Sequence, residues 1–331
     1  MREKILGVLY GMAIGDAMGM PPELWSRKRV LEHYGEIDDF LDGCPENTIS
    51  YQYKAGQFTD DTSQALTILD SLTETDFFPS ARSIAEHILK WAEDENAFEN
   101  NILGPTSKVT LQLFKEGKDA RRFSDEAVSN GAAMRIAPIG TLFEPEEKEK
   151  LCDYVAAVSQ VTHTSDVTIA GAAMIAMAVA SAVKYGDRER MIEDALSVAE
   201  YAMTLGASTP SPSLSARTRL AVRYAKEYKE DSRMFLEHIY DIIGAGVNTS
   251  ESVPAALAIA YYSFDVKTCA LLCANLGGDT DTIGAMAAAI CGGASGIGRI
   301  PGSYVDKIRQ ANGVDLEKYA DALVKKRGKI S

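Results

Sequence analysis

The chain has 331 residues, 46% of them hydrophobic and 24% charged, and its 34 basic against 47 acidic side chains leave a net charge of −13. Such a composition fits an ordinary globular protein with ample apolar material, folded as two domains or as one large helical domain. The acid excess excludes extended nucleic-acid binding through a basic patch, because Lys and Arg supply most of that affinity; it also makes an Asp-rich chain a natural place to look for a hard-cation site.

Met1 to Lys4 lead straight into an apolar pattern (Ile5, Leu6, Val8, Leu9), with no secretory-signal architecture. Gly11, Gly15 and Gly19 follow at a spacing of four, which lines one helical face and predicts close helix packing. Pro21 to Thr59 reads as a long irregular stretch. In it, Glu23 comes directly after Pro21-Pro22, on a segment expected to be mobile and able to close over a substrate. Ile49 to Tyr53 is the one modest strand candidate, and a loop is the other reading. Apolar spacing near 3.6 then predicts helices over Thr62 to Leu72, Ser83 to Trp91, Thr106 to Phe114, Lys148 to Val161, Val167 to Lys184, Glu189 to Leu205 and Leu214 to Tyr228. Further helices are predicted over Ser232 to Ile243, Val253 to Tyr262, Val266 to Leu276, Thr282 to Cys291, Ser303 to Gln310 and Leu316 to Lys325. Ala97 to Pro105 and Gly206 to Ser213 read as irregular connections. The expectation is one compact all-α domain over residues 1–331, with little or no β structure.

The longest uncharged apolar stretches, Ile169 to Val183 and Ile283 to Ile297, are 15 residues each. They fall short of the roughly 20 residues needed to cross a bilayer, and their Ala and Gly content suits closely packed buried helices, so no membrane partner is expected. Five scattered cysteines (Cys44, Cys152, Cys269, Cys273, Cys291) contain no CxxC pair, and they are expected to be reduced, mostly buried thiols of a cytoplasmic protein. Four histidines form neither HxxxH nor HExxH, which argues against a His-rich transition-metal site.

Two similar tetrapeptides carry the chemistry. Thr59-Asp60-Asp61-Thr62 and Asp279-Thr280-Asp281-Thr282 each precede a predicted helix, and Gly277-Gly278 precede the second. Asp and Thr are favoured helix caps. A cap, however, needs one oxygen, and each cluster offers two carboxylates and two hydroxyls. Adjacent carboxylates repel unless a proton or cation intervenes. The oxygen set suits Mg²⁺, Mn²⁺ or Ca²⁺, and four Asp residues fit two ions better than one. Asp60 and Asp61 diverge by about 100° on a helix, so each can face a different ion.

Taken in order, these elements resemble the ADP-ribosylglycohydrolase family, which includes the dinitrogenase-reductase-activating glycohydrolases. The matching segments are Gly7 to Glu23, Gly56 to Leu72, Gly104 to Ser107, Asn130 to Gly140, Val161 to Thr164, and Val253 to Gly284 with its LGGDTDTIG. The resemblance implies an orthogonal multi-helix bundle around a binuclear Mg²⁺ or Mn²⁺ centre. By motif its metal ligands are Thr59, Asp60, Asp61, Asp279, Asp281 and Thr282. Glu23 matches a family glutamate that acts as ligand or acid/base, and Glu23 or Asp61 would activate water. Asn130, Gly131 and Met134 match the substrate loop, and His163 matches a histidine near the nucleotide. Arg135 is expected to pair with an internal carboxylate. The implied reaction is hydrolysis of the glycosidic bond between ADP-ribose and an acceptor on a protein or small molecule, with two metals gripping the ribose diol. Thr164 to Asp166 and Gly206 to Ser213 depart from the family pattern, which keeps open a glycohydrolase acting on a nucleoside or nucleotide. A non-catalytic binding protein on the same fold is a third alternative. The residues leave acceptor and oligomeric state open.

Overall fold

A computed structural model describes residues 1–100 and 102–330. Asn101, inside the irregular Ala97 to Pro105 stretch, and Ser331 lie outside the described residues. The chain is all-α, with no strand among the described residues. In order the helices are α1 (Arg2–Gly19), α2 (Arg27–Tyr34), α3 (Asp60–Glu74), α4 (Ala81–Asp94), α5 (Pro105–Lys115), α6 (Arg121–Asp125), α7 (Ala137–Gly140), α8 (Lys148–Ser159) and α9 (Asp166–Tyr185). They continue with α10 (Arg188–Met203), α11 (Leu214–Glu227), α12 (Ser232–His238), α13 (Thr249–Ser263), α14 (Val266–Ala274), α15 (Thr280–Ser295), α16 (Gly302–Asn312) and α17 (Leu316–Lys326).

The predicted helices therefore form, and the early stretch is less irregular than expected. Helix α2 interrupts it, begun by Ser26, whose side chain accepts from Arg29 N. Its lone buried residue is Val30, so no apolar period marked it in the sequence. The strand candidate Ile49 to Tyr53 is a run of turns.

Helices α1, α9, α13 and α15 are apolar all round and occupy the centre, with the amphipathic helices packed outside them. Helix α9 is long and apolar enough to span a membrane, but the whole of that apolar window is buried against its neighbours. All five cysteines are free and buried.

The contact that positions the site is the antiparallel pair α1–α15. A Cβ added at Gly7, Gly11, Gly15 or Gly19 would fall onto the backbone of Gly292, Ala288, Gly284 or Thr280, respectively. Each step of four residues up one helix meets a step of four down the other. The two backbones thus touch along the whole glycine face, and only hydrogen atoms fit between them. This close register fixes the end of α1, with Asp16, beside the start of α15, with Asp279 and Asp281.

Candidate metal centre and substrate cavity

Eight of the 17 helices among the described residues start with a side-chain cap from the residue just before them, as those begun by Ser80, Ser165, Ser213 and Asp265 do. Helices α3 and α15 do not: Thr59 and Asp279 occupy the cap positions without making a side-chain cap bond. Asp16 caps α3 from across the molecule. Its carboxylate accepts from Thr59 N at 2.8 Å and Thr62 N at 3.0 Å, and from their hydroxyls at 2.9 and 2.6 Å. Capping therefore does not consume the oxygens of Asp60, Asp61, Asp279 or Asp281.

The two tetrapeptides meet at the Thr59 hydroxyl, which lies 3.0 Å from Asp61 Oδ2 and 3.4 Å from Asp281 Oδ2. Carboxylate oxygens gather into two overlapping groups, Asp16–Asp61–Asp281 and Glu23–Asp279–Asp281, each with its oxygens within 4.8 Å of one another. Asp61 Oδ1 and Asp281 Oδ1 are buried and have no hydrogen-bond partner. Burial first, and then the neighbouring negative charges, raise these acids: Asp16 and Asp279 are pushed up to about 7, and Glu23 and Asp281 well above the carboxylate range. Burial likewise lifts Asp61 to about 6, against hydrogen bonds that lower it. A site of this kind asks for positive charge, and its all-oxygen donor set is that of a hard divalent cation.

Asp60 stands apart from both groups. Its Oδ2 accepts from Gln64 Nε2 at 2.8 Å, while Asp61 turns inward, so the two neighbours do diverge. Thr282 lies on the cavity wall beside the acids. Gly277 and Gly278, with φ of +82° and +83°, allow the backbone before Asp279 to be clasped from two sides. Gly278 exchanges bonds of 2.7 Å with Leu24 and Trp25, and Asp279 N donates to Ala245 O at 2.7 Å.

That clasp bears on Glu23. Its segment is not a loose flap: Leu24 is bonded to Gly278, and Asn47 Nδ2 donates to Glu23 O at 2.9 Å and Pro21 O at 3.1 Å. Ser50 Oγ also donates to Pro21 O at 3.0 Å. The expected mobile segment is instead tied down on both sides, which holds the partly buried Glu23 side chain within reach of Asp279 and Asp281.

A cavity of about 430 Å³ opens over the acids. Glu23, Asp60, Asp61, Asp279, Asp281 and Thr282 line it, as do Asn130, Gly131, Met134 and His163, with apolar surface from Leu24, Ile49 and Val247. Its size suits a small-molecule ligand. Asn130 faces the acids: its amide donates to Asp279 Oδ2 at 2.5 Å and to Ser252 Oγ at 3.0 Å. His163 lies between Ser129 Oγ (3.1 Å) and Thr162 Oγ1 (2.8 Å), and burial pushes it down to about 3, so the ring is neutral. Gly131 is glycine because a Cβ there would come within 2.6 Å of the His163 ring. Gly104 and Pro105 also reach the lining.

Arg135 was expected to pair with a carboxylate. It lies buried behind the cavity and reaches one only through an amide: Nη1 donates to Gln64 Oε1 at 2.5 Å, and Gln64 in turn holds Asp60. The departures at Thr164 to Asp166 and Gly206 to Ser213 do not touch the cavity lining. Thr164 Oγ1 binds Ser124 and Asp125, and Asp166 takes Thr209 N and Oγ1, so these residues staple loops to the start of α9.

Sequence reasoning missed Asp16 as a member of the acid cluster. The signal was present: one acid inside the otherwise uncharged run Ile5 to Met20, a residue almost never buried without partners.

Comparison with known proteins follows the same lines. A family model described as ADP-ribosylglycohydrolase matches residues 1–330. A relative from Escherichia coli, the uncharacterized protein YegU, is 42% identical over 98% of this chain and 97% of its own length. The ADP-ribosylarginine hydrolase Tri1 of Pseudomonas putida is 26% identical over 92% of this chain and 74% of its own. A solved structure titled ADP-ribosylglycohydrolase-related protein complex shares the fold, with a TM-score of 0.68 at 23% identity over 98% of both chains.

Proposed function

The chain belongs to the ADP-ribosylglycohydrolase family, and from that premise we propose that it is a metal-dependent hydrolase of the glycosidic bond joining ADP-ribose to an acceptor on a protein or small molecule. The observation that carries this reading is the convergence of Thr59, Asp61 and Asp281, from opposite ends of the sequence, on one buried point beneath the cavity. The unpartnered Asp61 Oδ1 and Asp281 Oδ1 support a fit for cations rather than for an internal hydrogen-bond network.

In this reading Thr59, Asp60, Asp61, Asp279, Asp281 and Thr282 hold two divalent ions, Mg²⁺ or Mn²⁺. When bound, the ions supply Lewis-acid charge for the vicinal ribose hydroxyls and the attacking water. Asp16 fixes the Thr59 and Thr62 backbone and hydroxyls, and Asn130 fixes Asp279, so the oxygens keep their places before a ligand arrives. Glu23, held by the clasp at Gly278, takes the proton from the water that attacks the anomeric carbon. Asp61 is committed to the inner cluster by Thr59 and serves orientation. The carboxylates around the anomeric carbon stabilise its oxocarbenium character. Gly131, Met134 and the neutral His163 form the wall against which the nucleotide end packs. With Thr164 to Asp166 pointing away from the cavity, nothing in the wall favours a nucleoside over an ADP-ribosyl group.

The test is release of ADP-ribose from arginine-, serine- or nucleic-acid-end-linked conjugates, with added Mg²⁺ or Mn²⁺. Metal-stimulated release from at least one is expected; no release from any at any metal concentration refutes the proposal. Asp60→Ala and Asp281→Ala are each expected to abolish activity with the fold retained. Full activity in both would refute the binuclear centre.

A further inference from the structure

We propose that a second cavity, running off the first along α3, seats the acceptor polypeptide and selects protein substrates with a basic side chain a few residues from the modified one. The inference rests on the proposed function and names the acceptor class. The groove, of about 340 Å³, lies between α3, the end of α4 and the junction of α16 with α17. Tyr53, Thr59, Asp60 and Ile102 belong to the walls of both cavities, so the acceptor end of a ligand held over the acids has this space beside it. Asp60, Ser63, Thr67 and Asp70 follow the groove along one face of α3, a distance of about 15 Å. That matches about four residues of extended chain, which is more than a lone side chain occupies.

The chemistry of the far end says what the chain should carry. Asp70 and Glu95 stand there with the rings of Trp91 and Tyr319, and among the described residues no lysine or arginine lines any part of the groove. The neighbours of Glu95, Glu93 and Asp94, hold Lys115 and Lys90; Glu95 makes no such pair among the described residues. Asp70 accepts from the Tyr319 hydroxyl at 3.0 Å and lies 3.7 Å from Lys318 Nζ, an exposed pair too weak to close the carboxylate to a second donor. The hydroxyls of Ser63 and Thr67 donate to Thr59 O and Ser63 O, so they offer the groove lone pairs rather than protons. Asn312 spends its amide protons on Gly56 O and Ile308 O. Tyr53, Gln57 and Trp91 remain as neutral donors. A guanidinium or ammonium supplies the positive charge and the donors this wall lacks, and the two rings give it cation–π surface. An acidic or apolar segment would instead desolvate two carboxylates without a partner. A small-molecule conjugate is too short to reach the far end, so the groove separates protein substrates from small ones.

The experiment uses the full chain with Mn²⁺ and peptides ADP-ribosylated on one serine or one arginine. Each is made with a further arginine two to four residues to either side, and again with citrulline, its neutral isostere, in that place. The expected result is a KM lower by about fivefold or more for the arginine member of at least one pair, with kcat within twofold. In Asp70→Asn combined with Glu95→Gln the preference should fall below twofold. KM for the ADP-ribosylated amino acid alone should not change in that variant, which separates lost docking from a damaged metal site. Equal KM for arginine and citrulline in every pair overturns the proposal, as does a preference that survives in the double variant. A wild type that cleaves no conjugate refutes the proposed function. The groove is then decided by titrating the unmodified peptides against Trp91 fluorescence, with Trp91→Phe as control. A shift with the arginine but not the citrulline peptide upholds it; equal shifts, or none, overturn it.

Discussion

Alanine at Gly15 tests whether the glycine face of α1 builds the site or merely packs the core. Its Cβ would land on the Gly284 carbonyl and 2.8 Å from Ala288 Cβ. Carbon atoms normally rest about 3.5–4.0 Å apart, so α1 and α15 must separate by roughly 1 Å. Overpacking typically costs about 1–3 kcal/mol, and a clash with backbone, which no rotamer relieves, belongs at the upper end. Helix propensity returns about 1 kcal/mol on replacing Gly by Ala, leaving a net loss of about 2 kcal/mol. Unfolding entropy for a chain of this length is about 0.7 kcal/mol per K, so Tm should fall by about 3 °C. Gly7→Ala supplies the comparison. Its Cβ meets the Gly292 carbonyl carbon and Gly296 Cα at 2.9 Å, an equivalent clash about 12 Å farther along α1. Both variants should lose similar stability by calorimetry. Only Gly15→Ala, adjacent to Asp16, should also weaken Mn²⁺ binding, by at least tenfold in a titration of the metal-free protein. Equal metal affinity in the two variants would refute the claim that this contact sets the geometry of the acids.

Metal itself should stabilise the fold. Raising free Mg²⁺ or Mn²⁺ to about 100 times its Kd should add about 2.7 kcal/mol, seen as a Tm increase of about 4 °C that EDTA reverses; Asp281→Asn should abolish the increase, and an unchanged response in that variant would contradict the assignment. Glu23→Gln should lower kcat by about 10²–10⁴-fold, the range for loss of a general base, with metal affinity within threefold of wild type. A matching loss of metal affinity would instead make Glu23 a ligand. His163 gives a pH signature. Its folded value of about 3 lies below the unfolded value, so the unfolded chain takes up a proton first as pH falls. Its stabilising contribution is complete above about pH 6.5 and declines from there toward pH 3, amounting to about 2 kcal/mol between pH 7.5 and pH 5. His163→Asn should show a shallower loss of Tm over that window, and identical slopes would refute a buried neutral ring.

The fold was legible because nearly every helix carries its own apolar period, so local pattern and burial agree. Helix α2 escaped because it buries one residue, Val30, and is held by its Ser26 cap. In the candidate site, the oxygen-rich tetrapeptides at Thr59 and Asp279 stood out in the sequence by containing more carboxylate than a cap needs. What local spacing could not supply was pairing across the chain. Nothing around Asp16 says that it caps α3, and nothing around Glu23 says that Asn47, Ser50 and Gly278 pin its segment. Asn130 looked like a substrate-facing amide, and its bond to Asp279 became visible only once residues far apart in sequence were brought together.

The pairing of α1 with α15 also sets the order of events during synthesis. Thr280 Oγ1 donates to Gly19 O at 2.6 Å across 261 residues, so α1 leaves the ribosome long before α15, the helix that covers its glycine face. At about 5–20 residues per second the wait between them is some 13–50 s, during which a largely apolar helix, with Asp16 on it, stays without its partner. Asp16 and Asp61 are synthesised early, yet neither group of carboxylates is complete until Asp281 emerges. A nascent chain is thus spared from trapping a cation in a half-built pocket, and a product ending before Thr280 lacks both the seam that closes the core and the acids that complete the site.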